Sequence, residues 1–186
     1  LGPELFGKYA FSLSIVGFAA LFASPGFSTF GLRAIARGNV REVELARKIT
    51  GIRIVFMMVT TVFLGAYILF LAPKDEELQL LMIVCGLVLL TNAIDLNWLL
   101  VGASKLVPVA VSNVISQLIY AAIVFAFLSS SEEAWVVPAG AFIGALAGLV
   151  ITYQYIFSRF GLQIPQFSMA DVKEIVPASI LLGTAS

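Results

Sequence analysis

Between Lys8 and Arg33 lie 24 consecutive residues without a charge, and runs of this kind recur down the whole chain. A bilayer core about 30 Å thick is crossed by around 20 apolar helical residues, so each such run is a candidate membrane span. The spacing predicts spans over residues 6–30, 54–72 (closed by Pro73), 78–100 (whose single charge is Asp95) and 107–128 (ended by Ser129, Ser130 and Ser131). A fifth covers residues 135–157, with Trp135 where an interfacial aromatic anchor belongs, and a sixth starts at residue 172 and runs to 186. These stretches are continuous and interspersed with glycine, unlike the ten-residue alternating strands of an outer-membrane barrel, so helices are expected. The expected fold is an all-α, polytopic transmembrane helix bundle. It forms one domain over residues 1–186, with five complete spans and the beginning of a sixth. Ser24-Pro25-Gly26 should kink or break the first span, because proline removes a backbone donor and glycine loosens the helix. Pro177 can do the same in the sixth.

Composition closes off other classes. Hydrophobic residues make up 60% of the chain and charged residues 12%, against roughly 25% charged in an ordinary soluble domain. With a mean hydropathy of +1.02, a water-soluble fold is excluded unless most of that surface is hidden. A net charge of zero gives no footprint for nucleic acid. The absence of histidine removes imidazole catalysis and histidine metal sites, and the lone Cys85 can form neither an internal disulfide nor a zinc cluster. No phosphate loop, nucleophile elbow or metal-ligand cluster is present, so neither an enzyme nor a cofactor is expected. The chain starts at Leu1 without an initiator Met and stops at Ser186 inside an apolar run, so it is expected to be an internal piece of a longer protein.

Orientation follows from the connections. The segment between the first two spans holds Arg33, Arg37, Arg41, Arg47, Lys48 and Arg53, six of the eleven basic residues, and Lys105, Arg159 and Lys173 fall on the same side. The other side has only Lys8 and Lys74, beside Glu4, Asp75, Glu76, Glu77, Glu132 and Glu133. Nine basic residues against two place the basic side in the cytoplasm by the positive-inside rule. Within that side, Glu44 and Lys48 stand at i,i+4, consistent with a short surface helix over residues 37–50. Ser168-Met169-Ala170-Asp171 has the pattern of a capping box that starts a new helix.

Asp95 is the first functional candidate, since an ionisable group at mid-membrane costs about 2.5–3.5 kcal/mol to insert. Asn92 lies three residues earlier on the same helical face, and Asn113, Gln117 and Tyr120 form an i, i+4, i+7 stripe at similar depth in the next helix. Two readings stand. One is a hydrated cavity in which Asp95 and Asn92 take a proton or cation while Asn113 and Gln117 meet a polar substrate. The other is interhelical hydrogen-bond glue, worth about 0.6 kcal/mol per contact. Arg33 and Arg37, one turn apart at the cytoplasmic end of the first span, have the bidentate geometry for phosphate oxygens, but also suit topology determinants touching anionic headgroups. Gly140, Gly144 and Gly148 form a double GxxxG ladder whose expected role is close helix packing.

Several segments resemble the polysaccharide and O-antigen flippases, the lipid-linked oligosaccharide exporters of the multidrug/oligosaccharidyl-lipid/polysaccharide superfamily. The resemblance is carried by Leu1-Gly2-Pro3, Phe6-Gly7 and Tyr9, by Gly31-Leu32-Arg33-Ala34-Ile35-Ala36-Arg37, and by Asn97-Trp98-Leu99-Leu100-Val101-Gly102 followed by Lys105. Family members usually carry Asp before that tryptophan and Gln before that glycine, where this chain has Asn97 and Val101. The resemblance implies most of the first of two pseudosymmetric lobes in a transporter of twelve to fourteen helices. It also implies alternating access, a bacterial cytoplasmic (inner) membrane location, and an undecaprenyl-pyrophosphate-linked oligosaccharide as substrate. Arg33 and Arg37 would then hold the pyrophosphate, and Asp95 would couple the cycle to H+ or Na+. A multidrug exporter of the same superfamily is the nearest rival, a non-transporting membrane scaffold is a rival of another class, and a membrane-embedded enzyme is the weakest.

Overall fold

Inside hydrocarbon a backbone N–H or C=O has no water to turn to, so each span must satisfy itself as a helix. The computed structural model, which describes residues 2–38, 41–128, 134–161 and 164–183, contains α-helices as its only regular elements among those residues. They are α1 (Pro3–Ala23), α2 (Phe27–Ala36), α3 (Glu42–Phe70), α4 (Glu76–Ala93), α5 (Asn97–Gly102), α6 (Leu106–Phe127), α7 (Val136–Phe160) and α8 (Met169–Gly183). Five segments are long and apolar enough to cross a membrane: Pro3–Ala23, Glu42–Phe70, Glu76–Gly102, Leu106–Phe127 and Val136–Phe160. The surface carries large apolar side chains such as Leu69, Phe70, Phe125 and Leu181, all strongly exposed, a surface made for lipid rather than water. The expected serine stop at Ser129, Ser130 and Ser131, the acidic Glu132 and Glu133, and residues 184–186 of the sixth span lie outside the described residues.

The first expected span is two helices, separated where Ser24-Pro25-Gly26 predicts a break. Gly26 sits at φ +76°, a left-handed conformation that glycine adopts without steric cost. Beyond it α2 is held by Phe27, fully buried and edge-on to Phe56 of α3 at 5.5 Å between ring centroids. Gly31 lets α2 approach α5, since a Cβ there would lie 2.3 Å from the Trp98 ring.

Two of the expected spans differ in helix detail. The second span was expected to begin at residue 54, after a cytoplasmic loop containing a short helix over residues 37–50. Instead α3 is one 29-residue helix from Glu42, and that short helix is its first part. Its length, about 43 Å at 1.5 Å per residue, exceeds the hydrocarbon thickness, so its first turns form the basic end. Glu42 and Glu44 suit the positive end of the helix dipole there, and Lys48 bridges Glu44 (3.2 Å) to Asp171 of α8 (3.3 Å). The third span, expected over residues 78–100, falls within the candidate span Glu76–Gly102, but its helix is interrupted at Ile94, Asp95 and Leu96, between α4 and α5.

Close packing does the rest, because apolar side chains gain little by leaving lipid for protein. The glycine ladder brings α7 against α6: a Cβ at Gly144 would lie 2.5 Å from the Ser116 carbonyl oxygen, and one at Gly148 2.1 Å from Ser116 Oγ. Residues 164–168 strap the basic end. Arg47 Nε donates to the Ile164 carbonyl (2.9 Å), the Gln166 N–H donates to the Arg47 carbonyl (3.0 Å), and Gly51 leaves room for the Gln166 main chain. Ser168 caps the start of α8, its Oγ accepting from the Ala170 N–H at 3.3 Å, while Asp171, the acid of the expected capping box, pairs with Lys48 instead. At the opposite, acidic end Lys8 joins α1 to the start of α4 through Asp75 and Glu77, both at 2.8 Å.

Candidate functional site

The interruption between α4 and α5 begins in its own residues. Asparagine and aspartate compete for backbone hydrogen bonds and favour turns, and here Asp95 Oδ1 accepts from the Asn97 N–H at 3.1 Å. The turn frees carbonyls that α4 can no longer use, and other helices supply donors. Arg53 of α3 donates through Nη1 to the Asp95 carbonyl (2.8 Å) and through Nη2 to the Asn92 carbonyl. From α7, the Tyr153 hydroxyl donates to the Ile94 carbonyl (2.8 Å), and Thr152 Oγ1 donates to Asn97 Oδ1 (3.2 Å). Irregular backbone at membrane depth is tolerated where it is enclosed by protein or lines a cavity, and both conditions are met.

The cavity lies between this break, α6 and α7. Its volume is about 310 Å³, and its polar lining includes Asn92, Asp95, Asn97, Asn113, Gln117 and Tyr120. One side is opened by small residues of α7, Ala141, Ala145 and Gly148. Four of the six candidate residues, Asn92, Asp95, Asn113 and Gln117, therefore share one space. Asp95 is partly buried rather than turned to lipid, while Asn92, Asn113 and Gln117 are exposed. Among the described residues none of the three carboxamides hydrogen-bonds to protein through its side chain. Ser112 and Ser116, by contrast, spend their hydroxyls on the Val109 and Ser112 carbonyls of their own helix, both at 2.9 Å.

Arg33 and Arg37 are not part of this space. Both are exposed, at the last turn and C-cap of α2, where a cation also complements the helix dipole. Two members of the site escape a reading of residues alone. Arg53 counts as a loop cation in the charge pattern, yet it is only 3% exposed; its place well inside α3 (Glu42–Phe70), together with a lone span carboxylate, is the available signal. Asn97 lines the cavity and accepts from Thr152. Among the described residues, no three of His, Cys, Asp and Glu converge as a metal site would need. The arrangement can hold water and hydroxyl-rich groups: polar surface in hydrocarbon costs free energy unless hydrogen-bonded, and carboxamides offer both donors and acceptors.

A family profile described as "Polysaccharide biosynthesis protein" matches residues 1–185. No curated protein and no solved structure matches the chain.

Proposed function

The chain belongs to the polysaccharide biosynthesis protein family, and from that premise we propose that it forms part of a flippase. This flippase carries a lipid-linked oligosaccharide across the bacterial cytoplasmic membrane for cell-surface polysaccharide synthesis. The observation that carries the reading is the set of unspent carboxamides of Asn92, Asn113 and Gln117 around a cavity at membrane depth. A sugar entering hydrocarbon loses water from every hydroxyl, and such a lining returns hydrogen bonds to it, while the polyprenyl tail stays in lipid. On this reading the chain belongs to one lobe of a two-lobed transporter that works by alternating access, with its basic end toward the cytoplasm. Arg33 and Arg37 meet the pyrophosphate as it arrives on that side, since guanidinium groups pair bidentately with phosphate oxygens. Asp95, with Asn92 beside it, takes H+ or Na+ with different affinity in the two states and so ties the cycle to an ion gradient.

The test uses the full-length protein in cells whose surface polysaccharide depends on it. The double substitution Asn113→Ala/Gln117→Ala should lower export about tenfold, the worth of one or two lost hydrogen bonds, with lipid-linked oligosaccharide accumulating and protein level unchanged. Normal export would remove the cavity from the mechanism. Altered drug susceptibility with normal polysaccharide would instead favour a multidrug exporter. Unchanged flipping and unchanged gradient dependence in Asp95→Asn would remove the ion-coupling step.

A further inference from the structure

A buried guanidinium has to be compensated where it sits, and Arg53 is buried in the middle of the bundle. Part of its compensation is main-chain: the carbonyls of Asn92 and Asp95 stand at the C-terminal end of α4, where a helix leaves carbonyls unsatisfied and its dipole is negative. The other part is a charge. Asp95, whose own carbonyl takes one of these hydrogen bonds, also carries the carboxylate that interacts electrostatically with Arg53, and Tyr153 is the remaining ionisable group facing both. Arg53 makes no ion pair within 4 Å among the described residues, so the two opposite charges attract across the break rather than as a direct salt bridge. The same side chain therefore puts an opposite charge near Asp95 and holds the backbone that presents Asp95 to the cavity.

We propose that Arg53 is a positioning residue: it latches the α4–α5 break open, keeps Asn92 and Asp95 aimed into the cavity, and serves as the buried counter-charge of Asp95. What the cavity carries rests on the flippase reading, but the latch does not. A cation arriving at Asp95 shares the carboxylate with Arg53, so ion binding and the grip on the break are linked; this gives a route from ion to helix geometry.

The experiment places single cysteines at Asn92 and at Asn113 in the full-length, otherwise cysteine-free protein. It measures their labelling in membranes by a charged, membrane-impermeant maleimide. Position 92 sits in the last turn of α4, which Arg53 latches, and position 113 on α6, with which Arg53 has no hydrogen bond among the described residues. Arg53→Gln should change the labelling rate at 92 by about tenfold or more, as loss of charged hydrogen bonds implies, and leave 113 within about twofold. Arg53→Lys, which keeps the charge and one donor at a time, should fall between. Equal changes at both positions, or none at 92, would overturn the latch. Export need not be measured for this arm, so its failure is separable from failure of the flippase reading. Should Arg53→Gln not accumulate in the membrane, Arg53→Gln/Asp95→Asn decides: removal of both charges should restore the level toward wild type. A double variant as poor as the single would overturn the counter-charge.

Discussion

Two spans of this bundle are broken, and they are broken in different ways. Between α1 and α2 the chain repairs itself locally: the Ser24 N–H donates to the Ala20 carbonyl (3.1 Å), the Gly26 N–H to Ser24 (2.8 Å) and the Phe30 N–H to Gly26 (3.0 Å). Proline and a left-handed glycine make that turn, and no distant side chain is among its hydrogen-bond partners. Between α4 and α5 local bonds also form, from the Asp95 N–H to the Asn92 carbonyl (3.4 Å) and from the Asn97 N–H to Asp95 Oδ1 (3.1 Å). There, however, the carbonyls of Asn92, Ile94 and Asp95 accept in addition from Arg53 and Tyr153, 39, 59 and 42 residues away. A break closed by its own backbone is a hinge-like feature of sequence. A break whose carbonyls are also held by other helices is coupled to those helices, so it can respond to their movement. The second kind faces the polar cavity, which is where a transporter would need such a response.

The comparison can be pressed at graded strength. After Arg53, the largest effect is expected at Tyr153→Phe, which deletes one hydroxyl and leaves the Ile94 carbonyl with a lost partner. The cost should be about 1–2 kcal/mol of unfolding free energy in detergent. Label at position 92 should respond with it, whereas no loss would mean that α7 does not help hold the break. Gly26→Ala comes next, at about 1 kcal/mol for a side chain forced to positive φ. Because that break is local, the labelling rate at position 92 should stay as in wild type; a change there would show that the two breaks are coupled.

The smallest effect is at the other end of α4. There the Lys8 ammonium, and after it the Leu78 N–H, hold the Asp75 carboxyl below its usual pKa. A depressed carboxylate stabilises the fold above its unfolded pKa of about 3.9, and this contribution disappears as pH falls through the lower folded value. Wild type should therefore exceed Asp75→Asn in stability at neutral pH by a small margin, with the two curves meeting in acid below about pH 4. A margin that persists in strong acid would mean that the Asp75 charge is not what fastens α1 to α4.

Much of this architecture is written in local pattern. Helical spans follow from uncharged runs, the first break from Ser24-Pro25-Gly26, the α6–α7 contact from glycines four residues apart, and the polar stripe from Asn113, Gln117 and Tyr120 at helical spacing. Each depends on neighbours within a turn or two, so one chain suffices to find it. The second break is different. A hydropathy window sums residues 78–100 into one apolar rod, and a charge count assigns Arg53 to a loop, because neither sees what lies across the helix interface.

What the sequence determined by itself is the solvent: with this many apolar residues in runs of this length, the chain must fold as helices in lipid. Only the tertiary structure decided which polar groups are spent and which are left over. Arg53 gives both terminal nitrogens to carbonyls at the end of α4, far from it in sequence, Asn97 is engaged by Thr152, and Asn92, Asn113 and Gln117 remain free of described protein partners beside a cavity. The physical reason is that hydrogen-bond satisfaction is a property of pairs, and in a membrane the partner of a buried group is another helix rather than water.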